Sequence, residues 1–187
     1  MPSDLTELTG GYMSRWGIFI GDVVTKWVIN EGFDREMELV EPFKFQDDNG
    51  KIWPAQRHHR INGASIPQIF WSIIPGSPFV GEYRRAAALH DSLYIARFEK
   101  DRAGIDRAFY KAMRADNTEL ITAYVMYAAV RIFGGAAWNN EKIVFMSKVV
   151  EQEYREIVTW IRNSGHQLSL EDIESKCGEA RTQFDLE

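Results

Sequence analysis

With 187 residues, 45% of them hydrophobic and 26% charged, the chain has the composition of one folded domain, long enough to bury about 70% of its unfolded surface. A net charge of −5 without a long Lys/Arg cluster argues against dedicated nucleic-acid binding, which neutralises phosphates with grouped cations. No apolar run reaches the roughly 18 residues of a membrane span, the opening MPSDLTELTG lacks the blocks of a signal peptide, and the single Cys177 excludes an intrachain disulfide or a cysteine-based zinc cluster, which suits a reducing compartment.

The first third reads as β structure. WGIFIGDVVTKWVI (16–29) is rich in β-branched and aromatic residues and supplies one or two strands. MELVEPFKF (37–45) alternates in part, and Asn49-Gly50 behind it is a two-residue hairpin signal, because both positions tolerate positive φ. A small antiparallel sheet is the expected product. INGASIPQIFWSIIPGSPFVG (61–81) then carries Gly63, Pro67, Pro75, Gly76 and Pro78, which prevent a long regular element.

The rest is helical. GEYRRAAALHDSLYIARF (81–98) is alanine-rich and free of breakers after Gly81. GIDRAFYKAMRA (104–115) has Ile105, Phe109, Ala112 and Met113 at helical spacing. ELITAYVMYAAVRIF (119–133), capped by Asn117 or Thr118 and stopped by Gly134-Gly135, is apolar nearly all round and should be the most buried helix. An amphipathic helix runs from about Asn140 to Asn163 with Val150, Tyr154, Ile157 and Ile161 on one stripe, and Ser169 with Asp172 forms a capping box for a last helix holding Cys177. The fold class is therefore α+β: one domain over 1–187, with a β-rich part at 12–60, a loop at 61–80, and a bundle of about five helices at 81–187.

Chemistry concentrates in ALHDSLY (88–94). On a helix His90 and Tyr94 are neighbours on one face, with Asp91 about 100° round. The short connection EKDRA favours an antiparallel helix pair, which brings Asp106 opposite His90 or Tyr94. Such a carboxylate fixes the imidazole tautomer and prepares it to take a proton from water or a hydroxyl. The competing reading is a buried polar knot that clamps two helices.

Asp91 needs a cation or several donors, supplied by Arg84, Arg85, Arg97 or Arg102 or by a divalent metal. Calcium is favoured over zinc, because the loop at 61–66 offers carbonyls, whereas the three nitrogens of His58, His59 and His90 include two in a basic QRHHR stretch. Ser65, on a turn constrained by Gly63 and Pro67, completes a thinkable Ser65, His90, Asp106 triad without the usual GxSxG context; turn hydrogen bonding is its commoner role. Asn62, Gly63 and Arg102 are the candidate binding residues.

NGASIPQIFW, RRAAALHDSLY, DRAGIDRAFYKAM and MYAAVRIFGGAAW, in this order over residues 37–138, resemble a family of small phage and prophage proteins of unknown function. Its pattern runs DGASIP, a tryptophan, HDxLY, an aspartate helix and VRxFG. The chain departs from it at Asn62, where the family has aspartate, and at Gln68, where arginine is common. Locally, HDSLY with a later aspartate is similar to the site of calcium-dependent secreted phospholipases. That likeness implies His90 activating water, Asp106 and Tyr94 orienting it, and Asp91 binding calcium.

Two functions follow as expectations. One is a hydrolase of ester or amide bonds in the cell envelope, using His90, Asp91, Tyr94 and Asp106. The other is a non-catalytic virion or assembly protein, favoured by Asn62, by aromatics in the N-terminal region, and by polar chain ends that partner subunits of an oligomer would hold. Either places the protein in the virion or the host cytoplasm.

Overall fold

The computed structural model describes residues 14–28, 36–62, 81–139 and 148–183. Gly63, Ser65 and Pro67, the start of the helix expected from Asn140, and both chain ends lie outside the described residues. Six strands precede five helices among the described residues: β1 (Gly17–Ile20), β2 (Thr25–Val28), β3 (Glu36–Leu39), β4 (Phe43–Asp47), β5 (Ile52–Ala55), β6 (Arg60–Ile61), α1 (Arg84–Ala96), α2 (Arg102–Ala115), α3 (Leu120–Trp138), α4 (Lys148–Ser164) and α5 (Leu170–Gln183). The α+β class holds, with two small sheets in place of one. They are ordered β1-β4-β5 and β2-β3-β6, with every pairing antiparallel.

MELVEPFKF does not form one strand. It breaks at Val40 to Pro42 into β3 and β4, which belong to different sheets, because proline cannot donate to a ladder. Pro54 is accommodated because β5 is an edge strand. The β4–β5 turn also differs from expectation. Asp47 N–H donates to Lys51 O at 2.9 Å, which leaves three loop residues, and within that loop only Gly50 has positive φ (80°). This is the three-residue hairpin with one left-handed glycine.

Alternation along β4 buries Phe43, Phe45 and Asp47, and this face supports the helices. α1 packs on β5 and β6, and α2 on β1 and β4. Every residue of α1 from Ala86 to Tyr94 is buried. That is possible because three of the nine are alanine, which lets neighbouring backbones approach on all sides. α1 ends at Arg97, whose left-handed φ of 49° lets Phe98 N–H bond back to Leu93 O at 3.2 Å. α2 is capped by Asp101, which accepts from Ala103 N at 3.1 Å.

α3 corrects two expectations. Its cap is Glu119, which accepts from Ile121 N at 2.9 Å and Thr122 N at 2.8 Å, in place of Asn117 or Thr118. It also continues through Gly134-Gly135 to Trp138. Two glycines cost roughly 2 kcal/mol of helix propensity, less than the burial of Ile132 and Phe133 beside them returns. α3 is the central helix: Ala123 and Val125 to Val130 are each at most 2% exposed. Tyr154, Ile157 and Ile161 form the buried stripe of α4, and the capping box of α5 is present, with Ser169 N donating to Asp172 Oδ2 at 2.8 Å and Asp172 N to Ser169 Oγ at 3.2 Å. Cys177 is buried as a packing residue. No helix among the described residues is long and apolar enough to cross a membrane.

Candidate functional site

α1 and α2 form the antiparallel pair that the short connection requires, and their facing sides carry the polar groups. His90 Nε2 lies 2.9 Å from Asp106 Oδ1, and Tyr94 Oη donates to the same oxygen at 2.6 Å. The other oxygen, Oδ2, accepts from Arg102 at 2.9 Å and from Arg131 of α3 at 3.0 Å. Arg102 also donates to the main-chain oxygens of Val130 (3.0 Å) and Arg131 (2.8 Å). Both His90 and Asp106 are fully buried.

This geometry sets the proton inventory. Burial, and then the Asp106 carboxylate, push the Tyr94 phenol well above its ordinary pKa, so it stays protonated and donates. Burial works against the charge of Arg131, but Asp106, with Tyr127 and Glu174, raises the guanidinium above its usual value. Asp106 thus receives three committed donors and acts as an acceptor. In the neutral imidazole, Nε2 must then carry the proton and Nδ1 the lone pair. Nδ1 is buried and has no hydrogen-bond partner among the described residues. The ring is held by Tyr94 (centroids 4.2 Å apart) and Phe109 (4.9 Å). A fixed imidazole with an unused lone pair is the arrangement that proton transfer from water or a hydroxyl requires.

The next two residues of α1 face the other way. Asp91, 4% exposed, accepts from the main-chain N–H of Asn62 at 2.9 Å. Ser92 Oγ accepts from Gln56 N at 2.9 Å and lies 2.8 Å from His59 Nδ1. Burial lowers the His59 pKa, with the Ser92 contact opposing. The HDS tripeptide therefore splits: His90 serves α2, while Asp91 and Ser92 tie α1 to the β5–β6 segment.

His90, Tyr94, Asp106 and Arg102 are brought together as one cluster. Arg102 binds Asp106 and not Asp91; as the first residue of α2 it stands one turn before Asp106 on the same face. Asn62 reaches Asp91 through its backbone, so the departure from aspartate there leaves this bond unchanged. Of the other arginines considered for Asp91, Arg85 pairs with Asp116 and Arg97 lies over Trp138. His58 binds Glu38 at 2.8 Å, and the three histidines considered for zinc point to separate partners. No three His, Cys, Asp or Glu side chains gather into a metal-holding group among the described residues.

Sequence reasoning missed Arg131 and Gly134. The signal for Arg131 was present: it is the single charged residue of α3, and a guanidinium partly buried in an apolar helix calls for an anion.

A family model described as "Protein of unknown function (DUF1353)" matches residues 37–130, half of the chain, including every clustered residue except Arg131. The uncharacterized protein y4jT of Sinorhizobium fredii (strain NBRC 101917 / NGR234) is 46% identical over 99 residues, which are 52% of this chain and 28% of that protein. The uncharacterized protein y4iH of the same organism is 35% identical over 96 residues, 51% of this chain and 39% of its own length. The chain therefore spans well under half the length of these curated relatives. No solved structure matches it.

Proposed function

We propose that this chain, which belongs to the DUF1353 family, hydrolyses an ester or amide bond by general-base chemistry at His90. The observation that carries the reading is the orphaned Nδ1 on an imidazole whose Nε2 is fixed by Asp106. In the reaction, Nδ1 takes a proton from water as the water oxygen bonds to the substrate carbonyl carbon. The tetrahedral intermediate then collapses with cleavage of the C–O or C–N bond, and the imidazolium returns the proton to the leaving oxygen or nitrogen. Asp106 holds the tautomer and balances the transient imidazolium, and Tyr94, Arg102 and Arg131 hold Asp106.

The likeness of HDSLY to the phospholipase site supports a lipid or other cell-envelope substrate and, with Asp91, a calcium ion. Among the described residues no group of three His, Cys, Asp or Glu side chains forms around Asp91, and the steps above need no cation. The phage or prophage setting, and a location in the virion or host cytoplasm, rest on the motif order alone.

A second reading has its own support. His90 and Asp106 have no exposed side-chain surface, and Trp27 (63%) and Ile20 (39%) are exposed on the sheet side. Both features suit a non-catalytic virion or assembly subunit whose polar cluster locks two helices and whose sheet face meets a partner.

Phospholipid vesicles and purified peptidoglycan, incubated with the chain and with His90→Gln, separate the two. The hydrolase reading expects product from one of them, and a loss of about 100-fold or more in the variant with the fold retained. Absence of product from both, together with a loss of about 1 to 3 kcal/mol of stability in His90→Ala and stoichiometric co-purification with virions, would establish the structural reading in its place.

A further inference from the structure

We infer that Gly134 is a positioning residue for the Asp106 carboxylate: its missing side chain is what lets Tyr94 and Arg102 reach that carboxylate together. Glycine is among the poorest helix formers, yet Gly134 stands inside α3 where the cluster meets that helix. A Cβ built on it would lie 2.6 Å from Tyr94 Oη, 3.2 Å from an Arg102 guanidinium nitrogen and 3.5 Å from Tyr94 Cζ. The first distance is shorter than any tolerable carbon–oxygen contact, and the hydroxyl has nowhere to retreat. It is committed to Asp106 Oδ1 at 2.6 Å, and its ring is wedged between His90 (4.2 Å) and Trp138 (5.3 Å, edge-on).

Arg102 gives the same answer independently. Its guanidinium donates to the main-chain oxygens of Val130 and Arg131, one turn before Gly134. The cation therefore lies directly against the α3 backbone, along the strip that a side chain at 134 would cover. Both second contacts of Asp106, the phenol on Oδ1 and the first guanidinium on Oδ2, depend on this one bare position. The functional meaning of the inference rests on the general-base reading of His90; the geometry does not.

The test is a four-protein cycle: the native chain, Gly134→Ala, Tyr94→Phe, and the double variant. Thermal unfolding and the hydroxyl proton resonance of Tyr94 are the readouts. In the native background Gly134→Ala is expected to lower Tm and to abolish the protected Tyr94 hydroxyl signal. In the Tyr94→Phe background, where no hydroxyl meets the new methyl and the 3.2 Å contact with Arg102 remains, the same change should lower Tm by less than half as much as in the native background, because alanine's better helix propensity offsets that contact. A rise in Tm with the Tyr94 signal intact in the native background would overturn the inference, as would an equal fall in both backgrounds. Should Gly134→Ala alone fail to fold, a folded double variant supports the inference and an unfolded one overturns it. None of these readouts involves turnover, so failure here leaves the hydrolase reading standing, and failure of that reading leaves this one.

Discussion

Asp47 and Asp106 are both buried, 4% and 0% exposed, but their donors come from different distances along the chain. Asp47 accepts from Asn49 N (2.9 Å), Lys51 N (3.0 Å) and Trp53 Nε1 (3.1 Å), all within six residues. Asp106 accepts from side chains 4, 12, 16 and 25 residues away, carried by three helices. The first carboxylate completes a hairpin from two local main-chain N–H groups and the Trp53 indole, with Lys111 of α2 a more distant cation at 3.9 Å. The second fixes how α1, α2 and α3 sit together, and in doing so leaves one ring nitrogen of His90 without a partner among the described residues. A carboxylate satisfied locally shapes a turn; one satisfied by convergence can present a reactive group.

Asp106→Ala should show the largest effect on that contrast. It strands the buried Arg102 charge and the partly buried Arg131 charge, and the expected loss is about 3 to 5 kcal/mol in chemical denaturation. A loss below about 1 kcal/mol would mean that the two arginines find other anions. Asp47→Ala should cost about 1 to 3 kcal/mol through its orphaned N–H donors while leaving the His90 and Tyr94 resonances in place. Movement of those resonances would join the two regions and break the comparison.

Smaller still is Glu174→Gln on α5, where a bidentate pair with the half-exposed Arg107 (both contacts 2.6 Å) is worth less than about 1 kcal/mol. Arg107 holds the Glu174 carboxyl below its ordinary value, with burial opposing. A lowered folded-state pKa contributes stability that is present above the unfolded value near 4.5 and is lost as pH falls through the folded one. The variant should accordingly lose less stability on acidification than the native chain, as followed by denaturation at a series of pH values. Asn62→Asp is the mildest change. Its side chain is exposed and its bond to Asp91 is main-chain, so stability should stay within about 0.5 kcal/mol. Millimolar calcium should raise its Tm relative to chelator if Asp91 holds a cation; equal Tm values would remove calcium from the proposal.

The meeting of His90, Tyr94 and Asp106 is legible in the sequence because it needs only helical spacing and a short connection. The contribution of α3 is not, because Arg131 and Gly134 reach the cluster through tertiary packing. Gly134-Gly135 reads locally as a helix stop, and the packing of α3 against α2, α4 and α5 overrides that propensity. Asn49-Gly50 marks the hairpin correctly, yet the loop length is decided by the side chain of Asp47, whose Oδ1 gathers the N–H groups of Asn49 and Lys51. The division of MELVEPFKF between two sheets was signalled by Pro42.

The most direct measurement is nitrogen-resolved NMR of the His90 imidazole in the folded chain. The account predicts a proton on Nε2, shared with Asp106, and an unbonded lone pair on Nδ1. A proton on Nδ1, or an Nδ1 already engaged in a hydrogen bond, would contradict it.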